Sequence, residues 1–317
     1  MPHTQARVSV VIPTRGRPDL LRRALASVQQ QTVPWWEAIV VVDGRDPMTE
    51  SFLEEQTDPR IRFVVNERSL GGAEARNVGV RAAKGEWIAL LDDDDEWMPD
   101  RIARQFVDLP NDHHGMVIGF CRLIVRAPHG EYLWPRRPPV PGEHISEYLF
   151  ARRSLFAGEG GIHTSTIMAP RSLFDRIPFD AALPRYQDTD WVLRASAAGA
   201  TFRYCDAPLS IWHTEEDRPS IAKAHARDWQ YANDWIRTRR NLVTPRAYAS
   251  FLLIRGGDLT AAALSPRGAV VMAMEAVRRG RPSLIGLLLF AGKWAMPPAA
   301  RRRLRARFSR QRRAAKS

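Results

Sequence analysis

The densest chemical signal in the chain is Leu90-Leu-Asp-Asp-Asp-Asp-Glu-Trp97, where Asp92, Asp93, Asp94 and Asp95 directly follow an apolar run. Carboxylates this close repel one another unless cations neutralise them. Oxygen ligands at this density suit Mg2+ or Mn2+, and an ion held by one or two carboxylates keeps positions free for phosphate oxygens. Without an ion the same residues read as a solvated acidic turn capping a helix that begins near Pro99.

Three other segments carry polar groups at the ends of apolar runs. In Val10-Val-Ile-Pro-Thr-Arg-Gly-Arg-Pro-Asp19, a strand running into a glycine turn would leave Pro13, Thr14 and Arg15 at its mouth, where backbone N–H groups and a hydroxyl can meet a nucleotide. This is neither a Walker loop nor a GxGxxG fingerprint. A second run ends in Val42-Asp43-Gly44, offering Asp43 as an acceptor for base or ribose groups. After a third comes Gly71-Gly-Ala-Glu-Ala-Arg-Asn-Val-Gly79, which would project Arg76 and Asn77 from a helix start.

The elements that must position these groups are legible as a period. Val8–Ile12, Ala38–Val42, Ile61–Val65 and Trp87–Leu91 are short and rich in branched side chains, as strands buried on both faces are. Asp19–Gln31 places Leu20, Leu21, Ala24, Leu25 and Val28 on one helical face, with Pro18 near its start, and Gly72–Lys84 reads as a second helix closed by Gly85. Strands alternating with helices predict an α/β fold with a mainly parallel sheet and ligands beyond the strands' carboxyl ends. From about Asn111 to Ile211 the pattern loosens around the Pro-rich Trp134–Pro141, with strands expected at Ile162–Ala169 and Thr201–Cys205 and a helix over Asp190–Ala198. Residues 218–280 read as helices broken at Pro245, Gly256-Gly257 and Pro266.

In this order the four strand ends resemble glycosyltransferase family 2, whose members have a GT-A fold. The resemblance rests on VSVVIPTRGRPDLLRRALASVQQQT, IVVVDG, GGAEARNVGVRAAKGEWIALLDDDD and RYQDTDWVLRASAAG, and spans roughly residues 7–215. It implies a nucleotide-sugar donor, UDP- or dTDP-linked, a divalent metal and inversion at the anomeric carbon. It places Thr14 and Asp43 around the nucleoside, Arg76 near the base or diphosphate, Asp92 at the ribose or sugar and Asp94 on the metal; with four consecutive aspartates, the pair Asp93 and Asp95 is the alternative register. Two positions depart from the family pattern: Val42 stands where an aspartate is common, and Gln187 replaces the glutamate of the acceptor-side motif. In that motif an inverting transfer needs a carboxylate to take the acceptor hydroxyl's proton, for which Asp188 is the first choice and Asp190 the second; either can also cap the following helix. His213 lies where relatives often carry a metal or diphosphate ligand. Tyr132 and the loop from Trp134 make a candidate acceptor wall, since aromatic faces stack on sugars.

Charge separates by position. The 317 residues hold 47 Lys and Arg against 35 Asp and Glu, for +12, yet 13 of the basic residues and no acidic ones follow Glu275. Residues 1–275 therefore carry 34 positive and 35 negative charges, a net of −1, and the basic character belongs to a tail. Leu284–Leu289, Phe290 and Trp294, followed by the arginines from Arg301, resemble an interfacial anchor for an anionic membrane. The longest uncharged apolar stretch, Ser283–Gly292, is shorter than the roughly 20 residues that cross a bilayer, and no secretory signal is visible. The expected placement is cytoplasmic and peripheral to the membrane. The expected organisation is a GT-A domain over 1–215, a helical extension over 216–280, and an apolar helix with an arginine-rich tail over 281–317.

Cys121 and Cys205 are too few for a disulfide framework. A sugar nucleotidyltransferase would share the sheet and carboxylates but needs a longer glycine-rich loop than Thr14–Pro18. A nucleic-acid-binding protein would use the basic tail; the aspartate cluster repels phosphate, and no nucleic-acid partner is expected. The acceptor class expected is a glycan or lipid-linked sugar.

Overall fold

The computed structural model describes residues 6–109, 115–128, 130–214 and 228–295, and the chain divides into two units, each with its own interior. The basic tail from Arg301 lies outside the described residues.

The first unit is built from described residues within Met1–Arg126, Tyr132–Pro138 and Ile162–Glu216. It opens with β1 (Val8–Thr14), α1 (Pro18–Gln29), β2 (Trp36–Asp43), α2 (Pro47–Glu54), β3 (Ile61–Asn66), α3 (Gly72–Ala82) and β4 (Trp87–Leu90). Every residue of β2 is buried, as the run of branched side chains requires. Helix α1 buries Leu21, Ala24, Leu25 and Val28, each large side chain contributing roughly 1.5–3 kcal/mol. Helix α3 buries small residues and rests tightly on the sheet: a Cβ on Gly79 would stand 2.4 Å from Val11 Cγ1. The parallel register sets Thr14 level with Val42 and Asp43 level with Asn66, so the ends of β1, β2 and β3 open on one edge.

The loosely patterned middle contains β5 (Asp95–Trp97), α4 (Arg101–Val107), β6 (Val117–Ala127), β7 (Gly130–Trp134), β8 (Met168–Pro170), α6 (Arg171–Arg176), α7 (Gln187–Ala197) and β9 (Thr201–His213). The sheet order is β3-β2-β1-β4-β8-β6-β9-β5, with β7 beside β6. Strands β1–β4 pair in parallel, as do β6 and β9, whereas β8 runs antiparallel to β4 and β6, and β5 antiparallel to β9.

Several expectations change here. Ile162–Ala169 is not one strand: His163 caps a 3-10 turn over Thr164–Thr166, and only Met168–Pro170 joins the sheet. The acidic cluster runs into β5 before α4 starts at Arg101. Thr201–Cys205 extends to His213 as one strand, and its register against β6 shifts at Pro208, which has no N–H to give the ladder. Both cysteines are buried free thiols, and burial pushes Cys121 up to about 12.

The second unit, from described residues within Ala127–Glu131, Pro139–Gly161 and Asp217–Ser317, is helical. It comprises α5 (Ile145–Phe150) and helices at Trp229–Thr238, Pro245–Ser250, Gly257–Ala262, Pro266–Arg279 and Leu284–Ala295. Gly256-Gly257 does not break the pattern: a π-helical segment, Phe251–Gly256, carries the chain through with helical dihedrals. The missing side chains let neighbours close in, since Cβ atoms here would stand 2.9 Å from Met272 Sδ and 2.9 Å from Phe290 Cδ2. Among the described residues no helix is long and apolar enough to cross a membrane.

Candidate active site

The four aspartates point in different directions because the chain turns as it leaves β4. Asp93 faces inward, where Thr14 Oγ1 donates to its Oδ2 at 2.7 Å and Arg17 Nη1 lies 3.4 Å from its Oδ1. Burial and the neighbouring Asp94 push the Asp93 carboxyl up to about 6, against the pull of Arg17 and Thr14. Asp92 and Asp94, both partly exposed, and Asp95, as buried as Asp93, present carboxylate oxygens within 4.8 Å of one another. Oxygens on opposite sides of a small divalent ion stand about 4.2 Å apart, so this donor set fits Mg2+ or Mn2+ with small side-chain adjustment. Arg17 reaches Asp94 at 3.4 Å and Arg76 meets Asp92 at 2.6 Å. Arg23 Nη2 donates to the Asp94 carbonyl at 2.9 Å, so three arginines, Arg17, Arg23 and Arg76, border the cluster.

The 3-10 turn Thr164–Thr166, with its cap His163, ties this cluster to the head of α7. Ser165 Oγ donates to Asp95 Oδ2 at 2.5 Å and accepts from the Asp92 N–H at 3.1 Å. Thr164 Oγ1 donates to Asp188 Oδ2 at 3.1 Å. His163 Nδ1 lies 3.5 Å from Asp95 Oδ2. The turn is held from behind, its Ser165 carbonyl accepting from Trp97 Nε1 at 2.9 Å and Ser210 Oγ at 3.0 Å. None of its residues stands out in the sequence, where a Thr-Ser-Thr turn is common; only its position beside β4 makes it central.

Helix α7 begins at Gln187, after Tyr186 in a left-handed conformation at φ 61°. Gln187 Oε1 accepts from Arg76 Nη1 at 3.0 Å, so Arg76 bridges Asp92 and the acceptor-side motif. Asp188 is partly exposed, and its Oδ1 accepts from the Thr189 N–H at 2.7 Å. Asp190 is fully buried and paired with Arg194 Nε at 2.7 Å.

Asp43 accepts four bonds, from Asn66 Nδ2, Ser69 Oγ and the N–H groups of Leu70 and Gly71. Burial raises its pKa, but those four donors outweigh burial and hold it below the usual carboxylate value. Its four lone-pair positions are thereby met within the protein. Asn77 spends its amide on the backbone of Phe179, donating to the carbonyl at 3.0 Å and accepting from the N–H at 2.9 Å. Pro13 is partly buried beside β2, and Arg15 is exposed while Arg17, two residues on, reaches the aspartates. His213 Nε2 sits 2.6 Å from Glu96 Oε1, outside the three-carboxylate group.

The sequence model described as Glycosyl transferase family 2 matches residues 9–178, from β1 through the turn and past α6. The chain belongs to glycosyl transferase family 2. It is a glycosyltransferase similar to the amylovoran biosynthesis glycosyltransferase AmsB of Erwinia amylovora, at 30% identity over 76% of this chain and 82% of that protein. Another relative is the Escherichia coli enzyme named UDP-Glc:alpha-D-GlcNAc-diphosphoundecaprenol beta-1,3-glucosyltransferase WfgD, 34% identical over 37% of this chain and 46% of that one. Among solved structures, the Pyrobaculum calidifontis mannosyltransferase PcManGT, in complex with GDP-Man and Mn2+, superposes with a TM-score of 0.59. At 18% identity over 96% of this chain and 85% of that one, the likeness shows the GT-A fold.

Proposed function

We propose that this glycosyltransferase moves a sugar from a nucleotide-diphosphate donor, UDP- or dTDP-linked, to a hydroxyl of a glycan or lipid-linked acceptor, with a divalent metal and inversion at the anomeric carbon. The observation that carries the reading is the convergence of donor-side and acceptor-side groups: Arg76 joins Asp92 to Gln187, and the Thr164-Ser165 turn joins Asp188 to Asp92 and Asp95. WfgD is named for a UDP-sugar and a diphosphoundecaprenol acceptor, and PcManGT was solved with Mn2+, which supports these classes for donor, acceptor and metal.

Asp92, Asp94 and Asp95 would hold Mg2+ or Mn2+, and His213 would hold Glu96 in place beside them. The ion supplies electrostatic stabilisation of the leaving diphosphate. Pro13, Thr14 and Arg15 frame the nucleoside at the mouth of β1, and Asp43 shapes the loop over residues 66–71 beneath it. In the transfer the acceptor oxygen attacks C1 from the face opposite the diphosphate, the new C1–O bond forms as the C1–phosphate oxygen bond breaks, and the hydroxyl proton passes to Asp188. Partial exposure supports Asp188 as this base, because a general base must reach the acceptor. Asp190, fully buried against Arg194, serves α7.

For membrane placement, the second unit offers exposed apolar side chains, Leu284 at 72% and Leu288 at 54%, on a helix in a stretch without acidic residues. The exposed leucines, together with the basic residues that the sequence carries after Glu275, support peripheral attachment to an anionic inner leaflet.

Isothermal titration of UDP- and dTDP-sugars with and without Mn2+ tests the central reading. Metal-dependent binding is expected in the wild type and loss of the metal dependence in Asp94→Asn. Binding of no nucleotide sugar, with or without metal, sinks it.

A further inference from the structure

Beside the carboxylates stands a second group of side chains with no part in the steps above. Strand β5 pairs with β9 so that Asp95 lies directly opposite Trp212, which puts both side chains on one face of the sheet. The His163 ring lies between them, 4.8 Å from the Trp212 ring by centroid and with Nδ1 3.5 Å from Asp95 Oδ2. Trp134, at the end of β7, closes the group at 6.2 Å from Trp212 and 6.4 Å edge-on to His163.

A comparison inside the same unit shows what such a cluster looks like when it only packs. Phe174, Phe179 and Trp191 stack at 4.4 and 5.6 Å, and Trp191 is completely buried. Trp134, His163 and Trp212 each keep part of their surface accessible, and they do so at the edge of an anionic site. Leaving indole surface in water forgoes hydrophobic stabilisation that core packing would supply. An aromatic face carries negative quadrupole, which attracts the weakly positive C–H face of a pyranose while the ring hydroxyls stay free for hydrogen bonds. The neighbour of His163 in the chain, Thr164, is the residue bonded to Asp188.

We infer that Trp134, Trp212 and His163 form the binding wall for the acceptor, stacking a neutral pyranose unit so that one of its hydroxyls reaches Asp188. The inference rests on the glycosyl-transfer reading above. The ligand class is a hexopyranoside presented by its C–H face, and the wall acts on acceptor affinity, with no part in holding the donor nucleotide.

Saturation-transfer NMR tests it on the full chain with diamagnetic Mg2+ and UDP, using methyl glycosides of glucose, galactose, mannose and N-acetylglucosamine as probes. At least one glycoside is expected to show saturation of its ring C–H protons with the wild type. Its Kd should rise roughly tenfold in Trp134→Ala and recover most of that loss in Trp134→Phe, the scale of one lost ring contact. The UDP Kd, titrated separately, should stay within about twofold in both variants. Trp134 carries the readout because it lies at the margin of the cluster, and Trp212→Leu is scored only if its melting temperature matches the wild type. The wall is overturned if Trp134→Ala binds the glycoside as the wild type does, if a wild type that binds UDP saturates none of the four probes, or if Trp134→Ala loses UDP instead of glycoside. A wild type that binds none of UDP, dTDP or GDP is a different result: it fells the transfer reading, and the wall as an acceptor site with it.

Discussion

At the scale of single residues, burial separates two carboxylates that the sequence ranks as first and second candidates for the base. Asp188 and Asp190 are two apart at the head of α7, and either could take a proton on spacing alone. Asp188 → Asn removes the proposed base while its neighbours Thr164 and Thr189 can still bond the amide, so we expect transfer to fall about 10²- to 10⁴-fold with the melting temperature nearly unchanged. Asp190→Asn leaves Arg194 without its carboxylate inside α7 and should cost on the order of 2–3 kcal/mol of stability. Urea midpoints alongside single-turnover rates distinguish them, and an Asp188→Asn enzyme with wild-type turnover moves the base elsewhere. Gln187 teaches a related lesson. As a departure from the family's glutamate it looks like a weakness in the motif, yet its amide oxygen accepts from the arginine that also holds Asp92, a role that needs an acceptor and not a charge.

At the scale of elements, the site depends on how closely its supports sit. Helix α3 brings Arg76 to the sheet edge because Gly79 lets it lie against Val11. Gly79→Ala adds one methyl where there is no room, and a loss of about 1–3 kcal/mol is expected, with weaker donor binding as Arg76 shifts; calorimetric melting and nucleotide titration read the two effects. Glu37 ties the same strands from the other end, accepting from Ser9 Oγ at 2.6 Å, Arg62 Nη2 at 2.7 Å and the Lys84 N–H at 2.6 Å. Burial raises its pKa, but these donors prevail and hold it below 4.5. A carboxyl whose folded pKa is depressed adds stability above its unfolded pKa, and that stability is lost as pH falls through the folded value. Glu37→Gln should therefore be less stable at neutral pH and lose less on acidification below about pH 4.5, as urea midpoints across that range would show. A variant with an unchanged acid limb would remove Glu37 from the balance.

At the scale of the whole molecule, the charge of +12 describes no single surface. It is the sum of a nearly neutral catalytic body with a concentrated acidic site and a basic terminus. The proposed membrane attachment belongs to this scale because it needs apolar and basic groups together. Leu284→Ser/Leu288→Ser is expected to reduce sedimentation with phosphatidylglycerol vesicles several-fold, and the wild-type binding should weaken with salt, each basic residue near the surface being worth about 1 kcal/mol. Equal sedimentation of variant and wild type would end the anchoring idea.

The strand–helix alternation of the first hundred residues and the residues at each strand end are legible in the sequence, because each motif is contiguous with the strand that presents it and its period is local. The sequence also carries the family resemblance that the match over residues 9–178 bears out. Which side chains meet is a matter of long-range packing. The His163-Thr164-Ser165 turn reaches Asp92 and Asp95 across some seventy positions of chain, Arg76 finds Gln187 across 111, and Trp212 comes to face Asp95 only through the antiparallel pairing of β5 with β9. No local pattern encodes such pairings. They follow from how the strands order themselves in the sheet, which is set by packing over the whole unit.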